Sequence, residues 1–308
     1  MDRKQFLHKS SAAALLLGAS SFPFEAFAKG DLQKLTILHT NDQHSRIDPF
    51  PMDGTKNQGL GGFARRATLI EQIRKVEKNV LLLDCGDIFQ GTPYFNKYHG
   101  EAEIKLMNEM KYDAGTIGNH DFDGGLENLA LRMNQASFPF LVANYDISNT
   151  PLHNKAKEYH IFKYGNIKVG VFGVCIELSG LVGKDLYGET IYRDPIADAN
   201  RVATLLKHDE KCDVVICLSH LGYKYDTAKV SDQVLAKTTS NIDVILGGHT
   251  HTFFDAPESY TNSAGKQVVV NQVGWAGIYL GQIDIYIDHK KKKEITNSPP
   301  IKIQQKNS

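Results

Sequence analysis

Residues 35–44 read LTILHTNDQH, and this stretch decides the fold. Leu35–Thr40 is an apolar strand that runs straight into a polar loop carrying Asp42 and His44. Working outward, the same event recurs four times. Val80–Asp84 stops at Gly86-Asp87, Ala114–Gly118 opens on Asn119-His120-Asp121, Val214–Leu218 ends at Ser219-His220, and Val244–Leu246 ends at Gly247-Gly248-His249-Thr250-His251. Between these strands, apolar residues recur at helical spacing in 62–76 (Phe63, Ala67, Ile70, Ile73, Val76), in Glu101–Met110, in Leu126–Gln135 and in Asp198–His208. Nearly continuous apolar strands alternating with helices predict an α/β protein whose sheets are covered on both faces. Tyr159–Tyr164 and Ile167–Cys175 flank Gly165-Asn166, a hairpin signal, so the central sheets are mixed.

Composition narrows the function classes. The 308 residues are 42% hydrophobic and 23% charged, which excludes a mostly disordered chain. Thirty-five Lys and Arg balance 35 Asp and Glu, which argues against a nucleic-acid partner. No apolar run reaches the roughly 18–20 residues that a membrane span needs. Met1–Ala28 reads as an export signal. Arg3, Lys4 and Lys9 form its basic start, Ala12–Gly18 its apolar centre, and Ala26-Phe27-Ala28 a small-x-small cleavage pattern. The string RKQFLHK resembles a twin-arginine signal, with Lys4 at the second arginine. The expected location is periplasmic or extracellular, with no stable membrane anchor. The four cysteines lie in or beside apolar runs and are expected to be buried thiols rather than disulfides. Residues 29–290 are expected to form one domain and 291–308 a C-terminal tail, with the basic run Lys290–Lys293 a solvated turn or tail rather than a recognition patch.

The chemistry gathers where the strands end. Open α/β sheets place their sites at strand C-termini. Five such ends converging would bring two Asp, one Asn and several His into one crevice. An isolated Asp-x-His or Gly-Asp is an ordinary turn, whereas five such clusters, each behind an apolar strand, are not expected by chance.

The strings ILHTNDQH, GGFARRATLI, LLLDCGDIFQGTPYFN, MNEMKYDAGTIGNHDFDGG, SHLG and GGHTH resemble the calcineurin-like metallophosphoesterases, in particular the catalytic domain of bacterial 5′-nucleotidases. The resemblance implies a four-layer αββα sandwich, the metallo-dependent phosphatase fold. It also implies two divalent metal ions, manganese, zinc or similar. One would be held by Asp42, His44, Asp87 and His251, the other by Asp87, Asn119, His220 and His249, with Asp87 bridging. Oxygen and imidazole donors in one set suit such metals better than magnesium or calcium. The implied reaction is attack of a metal-bound hydroxide on a phosphate ester, with His120 as the acid–base or transition-state group and Asp123 as its partner. Asp121 stands where this branch often has Glu. Cys85 reads as packing, His39 as packing or support, and Arg65 and Arg66 as a solvated helix face, with one of the two facing the site as the alternative. The substrate implied is a phosphate-ester small molecule, a nucleotide first. Other phosphoesters, such as 2′,3′-cyclic nucleotides or nucleotide-sugar diphosphates, are the alternative. The second domain that binds the nucleobase in two-domain relatives has no counterpart in these 308 residues, which leaves two expectations: a separate chain supplies it, or the chain is a stand-alone phosphoesterase with an open site and loose specificity. A silent binding subunit is the reading least consistent with intact His120 and Asp123.

Overall fold

A computed structural model describes residues 32–305 of the chain, and the statements below concern these residues. The export-signal reading of Met1–Ala28 lies outside them. The strands, in chain order, are β1 (Gln33–Thr40), β2 (Val80–Asp84), β3 (Ala114–Gly115), β4 (Phe140–Leu141), β5 (Tyr145–Asp146), β6 (Ala156–Lys157), β7 (Tyr159–Tyr164), β8 (Ile167–Cys175), β9 (Ile191–Tyr192), β10 (Val214–His220), β11 (Val244–Leu246), β12 (Glu258–Thr261), β13 (Gln267–Asn271), β14 (Tyr279–Ile287), β15 (Lys293–Asn297) and β16 (Ile301–Lys302). One sheet has the order β15-β14-β1-β2-β3-β4-β6, with β16 also on β14. The other has the order β12-β13-β11-β10-β8-β7, and β5 pairs with β9 in a small ribbon. Both large sheets are mixed. β1, β2, β3 and β4 run parallel, as do β8, β10, β11 and β13, whereas β14 and β7 pair antiparallel.

Side-chain alternation along each strand builds the layers. Leu35, Ile37, Leu81 and Leu83 point from the first sheet into one core with Val169, Val171, Val214, Ile216 and Leu218 of the second. Leu38 and Leu82 face the other way. They pack on Phe63 and Ile70 of the helix Phe63–Val76, on Ile104 and Met107 of Glu101–Glu109, and on Leu129 and Met133 of Gly125–Gln135. On the far side, Phe172, Val174, Val215 and Cys217 meet Ala199, Val202 and Ala203 of Pro195–Thr204 and Leu235 and Ala236 of Asp232–Thr238. The result is the expected four-layer αββα sandwich. The four cysteines are buried free thiols. No helix among the described residues is long and apolar enough to cross a membrane.

Lys290, Lys291 and Lys292 are exposed at the turn between β14 and β15, as expected, but the residues that follow are a correction, because they form strands rather than a tail. β15 pairs antiparallel with β14 from Ile283↔Asn297 to Ile287↔Lys293, and β16 pairs Ile301 with Leu280. Ile303 is 2% exposed, and its carbonyl accepts from the Gly61 amide at 2.8 Å. The lysines of the basic run conceal an apolar series, Ile295, Ile301 and Ile303, that completes the sheet. Lys291 and Lys293 themselves pair with Asp213 and Asp243 across the gap between the sheets.

His39 plays the packing role expected of it. It is fully buried, and Asn271 Nδ2 donates to its Nε2 at 2.8 Å, tying β1 to β13. Burial pushes its pKa down from 6.5 to about 3. The unfolded chain therefore takes up this proton at higher pH than the folded one. Stability from the neutral imidazole is complete above pH 6.5 and is lost as pH falls towards 3. His39→Gln is expected to flatten that limb of the pH–stability curve, as measured by denaturant titration across the window. An unchanged slope would show that other groups govern it.

Candidate metal centre

The loops that leave β1, β2, β3, β10 and β11 meet at one rim of the two sheets, and they are unusually bent. Asp42, His44, Asp87, His249 and His251 all have positive φ, from 47° to 72°. Non-glycine residues rarely adopt this conformation, and each costs on the order of 1 kcal/mol or more, so such clusters mark sites that the surrounding structure enforces. Gly86 (φ 85°) and Gly248 let the loops close. A Cβ on Gly86 would lie 2.5 Å from the Gly118 amide nitrogen, and one on Gly248 would lie 2.9 Å from His220 Nδ1.

Two groups of ligand atoms result, Asp42–His44–His251 and Asp87–His220–His249, each with its atoms within 4.8 Å of one another. In the first, His44 Nε2 and His251 Nε2 are 2.9 Å apart, and Asp42 Oδ1 is 3.3 Å from His251 Nε2. In the second, His220 Nε2 is 3.1 Å from Asp87 Oδ2. Asn119 Oδ1 lies 2.8 Å from His249 Nδ1, beside this second group. Separations of about 3.0–3.5 Å are the edges of a coordination polyhedron with metal–ligand distances of roughly 2.0–2.2 Å. His220 supplies the fit test. Its Nδ1 donates to the Cys85 carbonyl at 2.6 Å, which fixes the ring, while its Nε2 is fully buried and forms no hydrogen bond. A buried ring nitrogen fixed in orientation and facing the Asp87 carboxylate is what a cation held between the two requires. The seven residues named from the sequence as ligands thus lie at one rim.

The charges are tightly coupled. Burial disfavours a charged Asp87, yet the neighbouring His220 outweighs it and holds the carboxyl well below its ordinary range. Burial likewise opposes a charged His220, but Asp87 pushes that imidazole up to about 10. Burial, with His220 nearby, lowers His249 to about 4. His44 is lowered by burial as well.

A second set of residues holds the loops. Asp121 accepts from the amides of Gly118 and Asp87 through Oδ2, and from those of Ile88 and Phe89 through Oδ1, at 2.8–3.1 Å. It therefore ties the Asp87 turn to the Asn119 loop. Arg66 is a correction, because it is fully buried rather than solvated. Its guanidinium bonds Gln43 Oε1, and Gln43 Nε2 donates to Asp84 at 2.7 Å. This network braces the residue between Asp42 and His44. Arg66 follows Phe63 by three residues and so shares its apolar face, a phase that could have revealed it. Arg65 is half-buried and donates to the Gly59 carbonyl. Cys85 packs as expected, and its carbonyl orients His220. Asn41, whose Nδ2 donates to Asp42 Oδ2 at 2.6 Å, is a supporting residue that the sequence reading missed.

His120 sits at the mouth, its side chain 38% exposed. Its Nδ1 is 2.8 Å from Asp123 Oδ2, and that hydrogen bond is the leading cause of its raised pKa. Its backbone amide donates to Asp87 Oδ1 at 2.8 Å. The arrangement can hold cations, attract an anion and present a proton donor beside it.

The chain is similar to known proteins along most of its described length. The calcineurin-like phosphoesterase family model matches residues 35–253. A snake venom 5′-nucleotidase of Crotalus adamanteus is 34% identical over 94% of this chain and 49% of its own length. The trifunctional nucleotide phosphoesterase protein YfkN of Bacillus subtilis is 33% identical over 85% of this chain and 19% of its own. The crystal structure of a 5′-nucleotidase precursor from Thermus thermophilus superposes with a TM-score of 0.80 at 30% identity, covering 88% of this chain and 55% of that one. The chain thus spans about half the length of the venom enzyme and of the Thermus protein.

Proposed function

The chain belongs to the calcineurin-like phosphoesterase family, and we propose that it is an exported dinuclear-metal phosphomonoesterase acting on 5′-nucleotides. The observation that carries this reading is the position of Asp87. Its Oδ2 lies 3.1 Å from His220 Nε2 and 3.9 Å from His44 Nε2, within reach of both ligand groups. The donors, carboxylate oxygens with imidazole nitrogens, fit manganese, zinc or similar ions. Two such ions would supply Lewis acidity towards phosphate oxygens and an activated water.

The protein's own part follows from charge and geometry. Asp42, His44 and His251 would hold one ion, and Asn119, His220 and His249 the other, with Asp87 available to both. Two carboxylates against two divalent cations leave net positive charge to attract a phosphate dianion. His120, charged more readily because Asp123 bonds its Nδ1, would give a proton to the leaving alkoxide through its other nitrogen. The leader pattern of Met1–Ala28 supports export, and fractionation of the producing cells tests it. The likeness to a protein named a trifunctional nucleotide phosphoesterase favours a second reading, broader action on nucleotide phosphoesters. Hydrolysis of an aryl phosphate by the purified chain with manganese or zinc tests the main reading. Full metal loading without turnover would defeat it.

The side chains assigned here serve the metal positions or the leaving group, and none is assigned to a nucleobase. The 308-residue chain is therefore expected to hydrolyse AMP, GMP, UMP and a simple ester with kcat/KM values within about an order of magnitude of one another, because base–aromatic stacking, roughly 1–3 kcal/mol per base, has no assigned partner. A second chain carrying a nucleobase-binding domain should tighten nucleotide binding and leave the simple ester unchanged. Strong preference for one base by this chain alone would place a base pocket within it.

A further inference from the structure

Trp275 is the only tryptophan in the chain. Its indole lies parallel to the His251 imidazole, with centroids 5.5 Å apart and planes within 6°. It meets His44 edge-on at 6.4 Å and Phe50 edge-on at 5.7 Å. The Arg46 guanidinium in turn covers the Phe50 ring at 4.5 Å.

The loop beneath the indole is anchored to the same site. Val273 N donates to Asn41 Oδ1 at 3.0 Å, Asn41 Nδ2 donates to the Gly274 carbonyl at 2.6 Å, and Ala276 N donates to the Asp42 carbonyl at 2.7 Å. Backbone on both sides of Trp275 is therefore bonded to Asn41 and Asp42, while its face rests on His251. Two members of one ligand group are joined through a single ring.

His251 needs such support. A ligating histidine ordinarily has its second ring nitrogen fixed by a hydrogen bond. His220 has this arrangement, with Nδ1 on the Cys85 carbonyl and no exposure. The His251 side chain is 38% exposed, and among the described residues its only hydrogen-bond contact is Nε2 to His44. No described residue bonds its Nδ1, so the broad terminal torsion of a histidine would leave the ring free to turn. A parallel indole restricts that turn.

We propose that Trp275 is a positioning residue. Its stack takes the place of the absent hydrogen bond, holds His251 Nε2 towards Asp42 and His44, and sets the cation affinity of the Asp42–His44–His251 position without setting that of the Asp87–His220–His249 position. The inference rests on the dinuclear reading above. It also carries a reciprocal consequence. A cation on His251 draws electron density from the imidazole and strengthens its attraction to the electron-rich indole face, so the emission of Trp275 reports that position.

The experiment is a titration of the metal-free full chain with manganese and, separately, zinc, following heat and tryptophan emission together. Two binding events are expected, of which one changes the emission. Trp275→Ala should weaken one event by about 10–100-fold, the range for lost orienting partners, and leave the other within about threefold. Trp275→Phe should recover most of the loss. His251→Ala, which keeps the indole, should abolish the emission change. Should Trp275→Ala fail to fold, the wild-type emission and the Trp275→Phe and His251→Ala variants decide alone. Equal weakening of both events, weakening of neither, or an emission that follows both or neither would overturn the inference. Absence of any bound metal would overturn the dinuclear reading together with it. Two bound metals with a silent indole would overturn this inference only.

Discussion

Asp87→Asn is expected to lose both cations, or hold them weakly, and to lower turnover by about 10⁴-fold or more, the scale of removing a central catalytic element. The reasoning starts from the backbone. Asp87 has φ 55°, and asparagine is among the few residues that tolerate this conformation, so the loop survives the change. The Asn side-chain oxygen can still accept from the His120 amide, as Asp87 Oδ1 does at 2.8 Å. What is lost is the charge between the two groups, together with the acceptor that faces His220 and His44. Elemental analysis of the dialysed variant and a single-turnover assay check the expectation. Full metal content with near wild-type rate would remove Asp87 from the bridging position.

His120→Ala is expected to keep both cations while its rate falls about 10²–10⁴-fold, the range for a general acid–base group. The two effects separate because the contact of His120 with Asp87 is made by its main-chain amide, which alanine retains. Only the imidazole bonded to Asp123 is removed. His251→Ala should behave oppositely and lose occupancy at one position. Metal content measured beside rate for both variants distinguishes the roles. A metal-depleted His120→Ala with a fully loaded His251→Ala would exchange them.

How much is legible in the sequence follows the range of the forces involved. An apolar strand stopping at glycine and a ligand side chain is a local pattern, so the rim residues from Asp42 to His251 can be read directly. The hairpin at Gly165-Asn166 is equally local, and its register closes as Tyr164↔Ile167. Arg66 is misread when its charge is weighed without its helical phase. β15 and β16 are misread because lysine density hides the isoleucines between them. The short helices Pro93–Tyr98 and Asp232–Thr238 escape notice although Pro93 opens one and Ser231 caps the other; each is too brief for periodicity to register. Trp275 has no signature at all. Its partner His251 lies in another loop, and only the closed sheets bring them face to face.

The centre of the first sheet has a consequence for the order in which the molecule assembles. β1 lies between β2 and β14, and its partners across the antiparallel edge run from Gln33↔Ile287 to His39↔Gly281. The first strand of the described chain is thus completed by one of its last. Contacts so distant along the chain close slowly, because loop entropy must be lost before the pairing returns anything. Until β14 arrives, Leu35 and Ile37 belong to a strand with an open flank, the kind of edge that recruits other chains. Synthesis from the N-terminus therefore holds this sheet unfinished until residues 279–287 have been made. Truncation before residue 279 is expected to favour aggregation over a smaller folded domain, since it leaves β1 without its antiparallel partner.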